Sequence, residues 1–294
     1  MTEQIDTRYS EIDLWPTRTS LEAIWESQLA AIAAIGPAID SLSIAVDLAV
    51  ARLSTSDTGR LAYVGAGTSI RTAVQDGTEL GPTFDWPDSR SAYLIAGGPN
   101  ALMHSVEGAE DDEQDAVNQV QTAGLGPQDV LIGIAASGNT PFTIAALRAA
   151  RAAGALTIGI ANNPDTPVLS EPETSVLVYT GSELIAGSTR MKAGSAQKVI
   201  LNMISTQVMI GLGRVYQGLM VDMRADNIKL RARAIGMVRQ ITNVNDESAE
   251  SALNSTGWKI KQAALVALGQ SPEEAVNCLN ANGDNLRTAL RSKD

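Results

Sequence analysis

Gly65-Ala66-Gly67-Thr68-Ser69 is where this sequence first gathers residue types that can hold an anion. The five residues follow a short apolar run, 60–64, that reads as a buried strand. Behind them, Ile70-Arg71-Thr72-Ala73-Val74 reads as the start of a helix. A strand that turns through small residues into a helix leaves free backbone N–H groups and a positive dipole end at the turn, which suits a phosphate. Gly67 lets the backbone approach a ligand closely, and Thr68 and Ser69 add hydroxyl donors. The same pattern also fits a dinucleotide site, or a tight turn that holds nothing.

A second turn of this kind follows the apolar run 129–134. Ala135-Ala136-Ser137-Gly138-Asn139-Thr140-Pro141-Phe142 leads into a helical pattern, so Ser137, Gly138, Asn139 and Thr140 repeat the arrangement. Two such turns in one parallel sheet can point at one crevice. A third candidate is the loop Gly187-Ser188-Thr189-Arg190-Met191-Lys192-Ala193-Gly194. Ser188, Arg190 and Lys192 could close over an anionic ligand, or the loop could simply be solvated. Two acids, Glu79 and Glu110, could move protons. Taken alone, Glu79 is a loop acid and Glu110 part of an acidic helix face, and both residue types are usually solvated.

The elements that must position these groups alternate. Strands are expected at 60–64, 91–96, 129–134, 155–160 and 175–180, with helices between most of them. That implies an α/β fold with a five-stranded parallel sheet and helices on both faces. Two amphipathic helices, at about 21–35 and 38–53, precede the first strand; Thr19 or Ser20 could cap the first of them. A helix is also expected after Gly97-Gly98-Pro99-Asn100, carrying His104 and the run Glu107 to Glu113. His104 reads there as structural. The loop at 181–194 should give way to a long helix from Ser195 to about Leu212. From about residue 233 the pattern becomes short helices, with Leu253-Asn254-Ser255-Thr256-Gly257 echoed by Leu279-Asn280-Ala281-Asn282-Gly283. The expected organisation is a helical segment at 1–57, a ligand-binding domain at 58–232 and a small helical domain at 233–294.

Bulk properties exclude several classes. With 44% hydrophobic and 19% charged residues the chain is globular rather than disordered. No uninterrupted apolar run reaches the ~18 residues of a membrane span, and the acidic start is not that of a signal peptide. One cysteine, Cys278, and one histidine, His104, leave neither a disulfide framework nor a Cys- or His-rich metal site. These features fit the cytoplasm. The net charge of −11 argues against nucleic acid and anionic membranes. A phosphorylated ligand must be held by local donors.

The turns resemble those of the SIS (sugar isomerase) domain, a flavodoxin-like three-layer sandwich that binds phosphosugars. The likeness narrows when the segments are taken together. These are Gly65 to Ser69, Glu79 with Pro82-Thr83, Val106-Glu107-Gly108-Ala109-Glu110-Asp111, Gly133 to Gly138, Gly187 to Gly194 with Gln197-Lys198, and Leu219-Met220-Val221-Asp222-Met223. In order and spacing they are similar to the N-acetylmuramic acid 6-phosphate etherase family, over nearly the whole chain. The resemblance implies cleavage of the D-lactyl ether at C3 of the sugar, with no metal or organic cofactor, by a homodimer. It implies Glu79 as the acid/base residue, Glu110 as a second active-site acid, Ser69, Ser137 and Thr140 as phosphate-binding hydroxyls, and a UBA-like C-terminal domain. In the open-chain sugar the C2 proton is α to an aldehyde. A carboxylate can remove it, the C3 ether oxygen then leaves with a proton, and water adds. A pocket that raises the carboxylate pKa toward neutral would let one group serve both steps.

This chain departs from the family pattern at three points. Ile70-Arg71 stands where Gly-Arg is common, Asn139 and Phe142 replace an arginine and a tyrosine, and Thr78-Glu79-Leu80-Gly81-Pro82 replaces Ser-Glu-Cys-Pro-Pro. The competing readings are a SIS aldose–ketose isomerase and a phosphosugar-sensing regulator similar to the glucokinase regulatory protein. A binder needs the turns but neither acid.

Overall fold

A computed structural model describes residues 1–292. The chain forms two compact units, Met1–Gly77 with Ser89–Ser205, and Thr78–Asp88 with Thr206–Asp294. Two of the boundaries between them fall within α3 (Gly67–Thr78) and α8 (Lys192–Gly211).

The first unit holds the sheet. Its strands are β1 (Leu61–Gly65), β2 (Ser91–Ile95), β3 (Val130–Ala135), β4 (Leu156–Ala161) and β5 (Thr174–Leu177), all parallel in the order β2-β1-β3-β4-β5. Every residue of β1, β3 and β4 is buried, as expected for strands covered on both faces. One face is covered by α5 (Glu113–Ala123) and α6 (Pro141–Ala152). There Ala62, Val64, Leu131 and Ala135 pack with Val120, Phe142 and Leu147. Alternation along β1 turns Tyr63 the other way. It stacks on Tyr93 at 5.8 Å, over Gly77 of α3, where a Cβ would meet the Tyr93 hydroxyl at 2.5 Å. Strand order reverses between β1 and β3, so the loops leaving those two strands flank a switch-point crevice.

Before the sheet come α1 (Thr17–Ala33) and α2 (Ile39–Leu53), separated by a 3-10 turn at Gly36–Ala38. α1 starts four residues earlier than the apolar spacing suggests, with Pro16 in the cap position and Ser20 already donating to the Pro16 carbonyl. α2 buries Leu42, Ala45, Val46, Ala49 and Leu53 and packs on β3, β4 and β5. α1 buries only Ser27 and Ala31. The helical stretch Thr17–Leu53 contains a window of mean hydropathy 1.9, long and apolar enough by length and composition to cross a membrane. Polar residues interrupt its apolar runs without lowering its mean hydropathy below that of a span.

The expected helix around His104 is absent. Residues 97–112 form two short 3-10 turns, Pro99–Leu102 and Ala109–Asp111, and α5 begins only at Glu113. Gly108, inside the expected helix, has positive φ, which a helix does not accommodate.

The second unit begins with α4 (Leu80–Phe84) and continues through α9 (Ile228–Thr242), α10 (Asp246–Ser255), α11 (Ile260–Ala267), α12 (Pro272–Ala281) and α13 (Leu286–Arg291). Its core joins Val221 and Met223 to Met237, Leu253, Leu265 and Leu279. Lys261, almost wholly buried, pairs with Asp222 at 2.6 Å and Asp284 at 2.9 Å. Burial dominates at Asp222 and lifts its pKa to about 6, against the pull of Lys261.

Candidate active site

The first turn has the expected form. Gly67 stands at φ +54, and no neighbour lies within 4 Å of the place a Cβ would take. Its backbone is therefore open to a ligand. Ser69 is buried, Thr68 half-buried. Arg71, one turn into α3, donates to the carbonyls of Ala101 (2.8 Å) and Leu102 (3.0 Å). That bond folds the 97–112 segment back over the turn. Between them lies a concavity of about 340 Å³, lined by Gly67, Arg71, His104, Glu107 and Glu110 among others. Glu110 is thus brought beside the first turn, exposed on a 3-10 turn rather than on a helix face.

In the second turn Gly138 stands at φ +74, and a Cβ there would fall 2.2 Å from the Thr166 hydroxyl oxygen. Only glycine fits both the backbone and the space. The Ser137 hydroxyl accepts from the Asn139 amide (3.2 Å), and Thr140 occupies the cap position of α6 without making a side-chain cap bond. Asn163, just beyond β4, donates to the Ser137 carbonyl at 3.3 Å. Ser137 to Thr140 do not line the 340 Å³ concavity. They share with it the carboxyl edge of the sheet, since Gly65 of β1 is opposite Ile134 of β3.

The third loop meets the first turn directly. A Cβ on Gly194 would lie 3.1 Å from the Thr68 methyl, so the start of α8 packs on the Gly-Ala-Gly turn. α8 begins at Lys192 rather than Ser195, because Glu183 supplies a cap that the sequence pattern does not show. Glu183 is fully buried, and its two oxygens accept from the amides of Lys192 (2.8 Å) and Ala193 (2.9 Å). The positive end of this helix is therefore neutralised by the protein's own carboxylate. Lys192 is half-buried and donates to the Ser182 carbonyl (3.0 Å); burial pushes its pKa below the usual lysine value. Ser188 is half-buried and Arg190 exposed. On its next turns α8 ties the site together. Gln197 donates to Asn162 (2.9 Å), and Asp76 of α3 accepts from Asn202 and pairs with Lys198 at 3.7 Å. Burial raises the Asp76 pKa.

Glu79 belongs to the second unit, where it precedes α4, is exposed and makes no cap bond. Among the described residues no group of three His, Cys, Asp or Glu is placed to hold a metal. The first unit therefore places a hollow lined by Gly67, Arg71, Glu107 and Glu110 at the carboxyl edge of the sheet, with the hydroxyl-bearing turns on the same edge. That is equipment for holding a phosphorylated polyol and moving a proton on it.

Residues 44–151 match the family described as glucokinase regulatory protein N-terminal SIS domain. The N-acetylmuramic acid 6-phosphate etherase of Deinococcus radiodurans is 46% identical over 290 residues, covering 98% of this chain and 94% of that protein. The etherase of Salmonella enteritidis is 42% identical over 281 residues, covering 95% and 94%. The chain belongs to the N-acetylmuramic acid 6-phosphate etherase family. Among solved structures, a phosphoheptose isomerase from Francisella tularensis aligns with a TM-score of 0.54 at 18% identity, covering 67% of this chain and all of that one. That likeness concerns the fold, and it is the fold common to the etherase family and the SIS isomerases.

Arg71, Asn163 and Glu183 make contacts beside the candidate site that the sequence pattern does not single out. Arg71 and Asn163 carried a signal, since each follows a strand end rich in small or polar residues. Glu183 carried none, since an acid in a hydroxyl-rich loop reads as solvated.

Proposed function

We infer that this protein is a carbon–oxygen lyase that cleaves the D-lactyl ether of N-acetylmuramic acid 6-phosphate, giving N-acetylglucosamine 6-phosphate and D-lactate. The full-length match to etherases at 46% identity carries this reading. Glu79 is the acid/base residue that takes the C2 proton, and Glu110 is the second acid. Gly67, Thr68, Ser69, Ser137, Gly138, Asn139 and Thr140 hold the phosphate, with Ser188, Arg190 and Lys192 closing the sugar in. Anchoring the phosphate fixes a reacting bond several atoms away. The role belongs to cell-wall amino-sugar catabolism and recycling, in the cytoplasm. An isomerase would share the proton abstraction but return the proton to C1, and the isomerase likeness extends only to the fold. A regulator would need neither acid. D-lactate released on mixing protein with N-acetylmuramic acid 6-phosphate tests the reading; a folded protein that binds the phosphosugar and releases none sinks it.

We further propose a homodimer joined through the N-terminal helices. Leu21, Trp25, Leu29 and Ile32 form an exposed stripe along α1, with Trp25 at 61% exposure. An apolar stripe of this kind marks an interface. Trp25→Glu is expected to halve the mass measured by light scattering at micromolar concentration. An unchanged mass, whether the wild type is monomer or dimer, counts against this face.

A further inference from the structure

Thr2 is fully buried, although it stands in a polar stretch ahead of the first helix. Its amide donates to Asn163 Oδ1 (2.9 Å), and its hydroxyl accepts from Asn163 Nδ2 (2.9 Å). The same Nδ2 reaches the Ser137 carbonyl (3.3 Å). One residue on, the Glu3 carboxylate lies against Gly187, 3.0 Å from the place of a Cβ. Asp6 then accepts from the Ser182 hydroxyl (3.4 Å). Residues 2–6 therefore run across the loops that leave β3, β4 and β5. They touch the second phosphate turn through Asn163 and the third loop at both Ser182 and Gly187. A buried threonine and asparagine that satisfy each other reciprocally form a specific lock, because either one left alone is a buried polar group without its partner.

We propose that Thr2 to Asp6 form a strap that sets the second phosphate turn, with Thr2 and Asn163 as its positioning residues. The proposal rests on the phosphosugar reading above. Asn163 holds the carbonyl of Ser137, and Gly138 packs against Thr166 where no side chain would fit. Together they fix the course of the backbone through Ser137 to Asn139, and with it the place of the Ser137 hydroxyl. Thr2 fixes the Asn163 amide so that Nδ2 faces that carbonyl. Without the Thr2 hydroxyl Asn163 keeps one of its two bonds to Thr2, and the turn it holds is less firmly preorganised.

The test compares wild type, Thr2→Val, Thr2→Ser and Asn163→Ala, by calorimetric binding of N-acetylglucosamine 6-phosphate and by steady-state D-lactate release. Thr2→Val keeps the shape and the backbone donor. It is expected to raise Kd and KM together by about fivefold with kcat within about twofold, the scale of one buried hydrogen bond. Thr2→Ser should stay near wild type, and Asn163→Ala should exceed Thr2→Val. Inorganic phosphate should compete less well with Thr2→Val by the same factor. A wild type that binds while Thr2→Val binds equally overturns the strap. So does a lowered melting temperature with KM unmoved, the mark of a merely structural contact. A wild type that binds neither N-acetylglucosamine 6-phosphate nor inorganic phosphate removes the phosphosugar reading itself, and the strap with it.

Discussion

Glu79→Gln is expected to lower kcat for D-lactate release by roughly 10²- to 10⁴-fold, the usual contribution of a positioned acid/base group. Glutamine keeps the shape and the hydrogen-bonding oxygen but cannot accept the C2 proton. Glu79 is exposed and caps nothing, so the melting temperature should move by no more than about 1 °C, as for other surface substitutions. Binding of N-acetylglucosamine 6-phosphate should stay within about threefold, because the phosphate donors lie on other loops. A second readout isolates the chemical step. In deuterated water the wild type should exchange deuterium into C2 of the product, and the variant should not. If Glu79→Gln retains kcat within about threefold, or loses turnover while still exchanging C2, another group takes the proton and Glu110 becomes the first candidate.

The sheet was legible because its chemistry is repetitive. Strands such as 130–135 are unbroken apolar runs, and each is followed by small residues and a helical pattern, so the strands and their parallel direction could be read from the sequence. β5 is the exception, ending at Leu177 where the sequence suggests 180. Its neighbours Val178 and Thr180 are as buried as strand residues, and apolar pattern cannot tell a buried loop from a strand. The segment 97–112 was misread for the opposite reason. Its spacing is helical, but Gly108 within it takes positive φ, and backbone conformation outweighs side-chain periodicity there. In the site, the turns at 65–69 and 137–140 were visible because glycine and hydroxyl residues announce themselves. The contacts that fix them come from far along the chain. Thr68 against Gly194, and Thr2 with Asn163, are pairings that no local pattern encodes.

Glu183→Gln is the second large effect expected, this time on stability. The Glu183 carboxylate is fully buried, and both oxygens accept backbone N–H bonds at the positive end of a 20-residue helix. Hydrogen bonds to a buried charge are worth ~1.5–3 kcal/mol each. A glutamine can satisfy only one of the two amides, and its NH₂ would face the other, donor against donor. The helix end also loses its compensating charge, worth up to ~1 kcal/mol or somewhat more when buried. A loss of about 3 kcal/mol follows, or ~6–12 °C in melting temperature for a unit of this size. The same substitution should raise KM, since the loop Gly187 to Gly194 leads into this helix and rests on Thr68. Thermal unfolding and steady-state kinetics on one preparation check both halves. A shift under ~2 °C means that the Lys192 and Ala193 amides find other partners, and the cap is then not what starts α8 three residues ahead of Ser195.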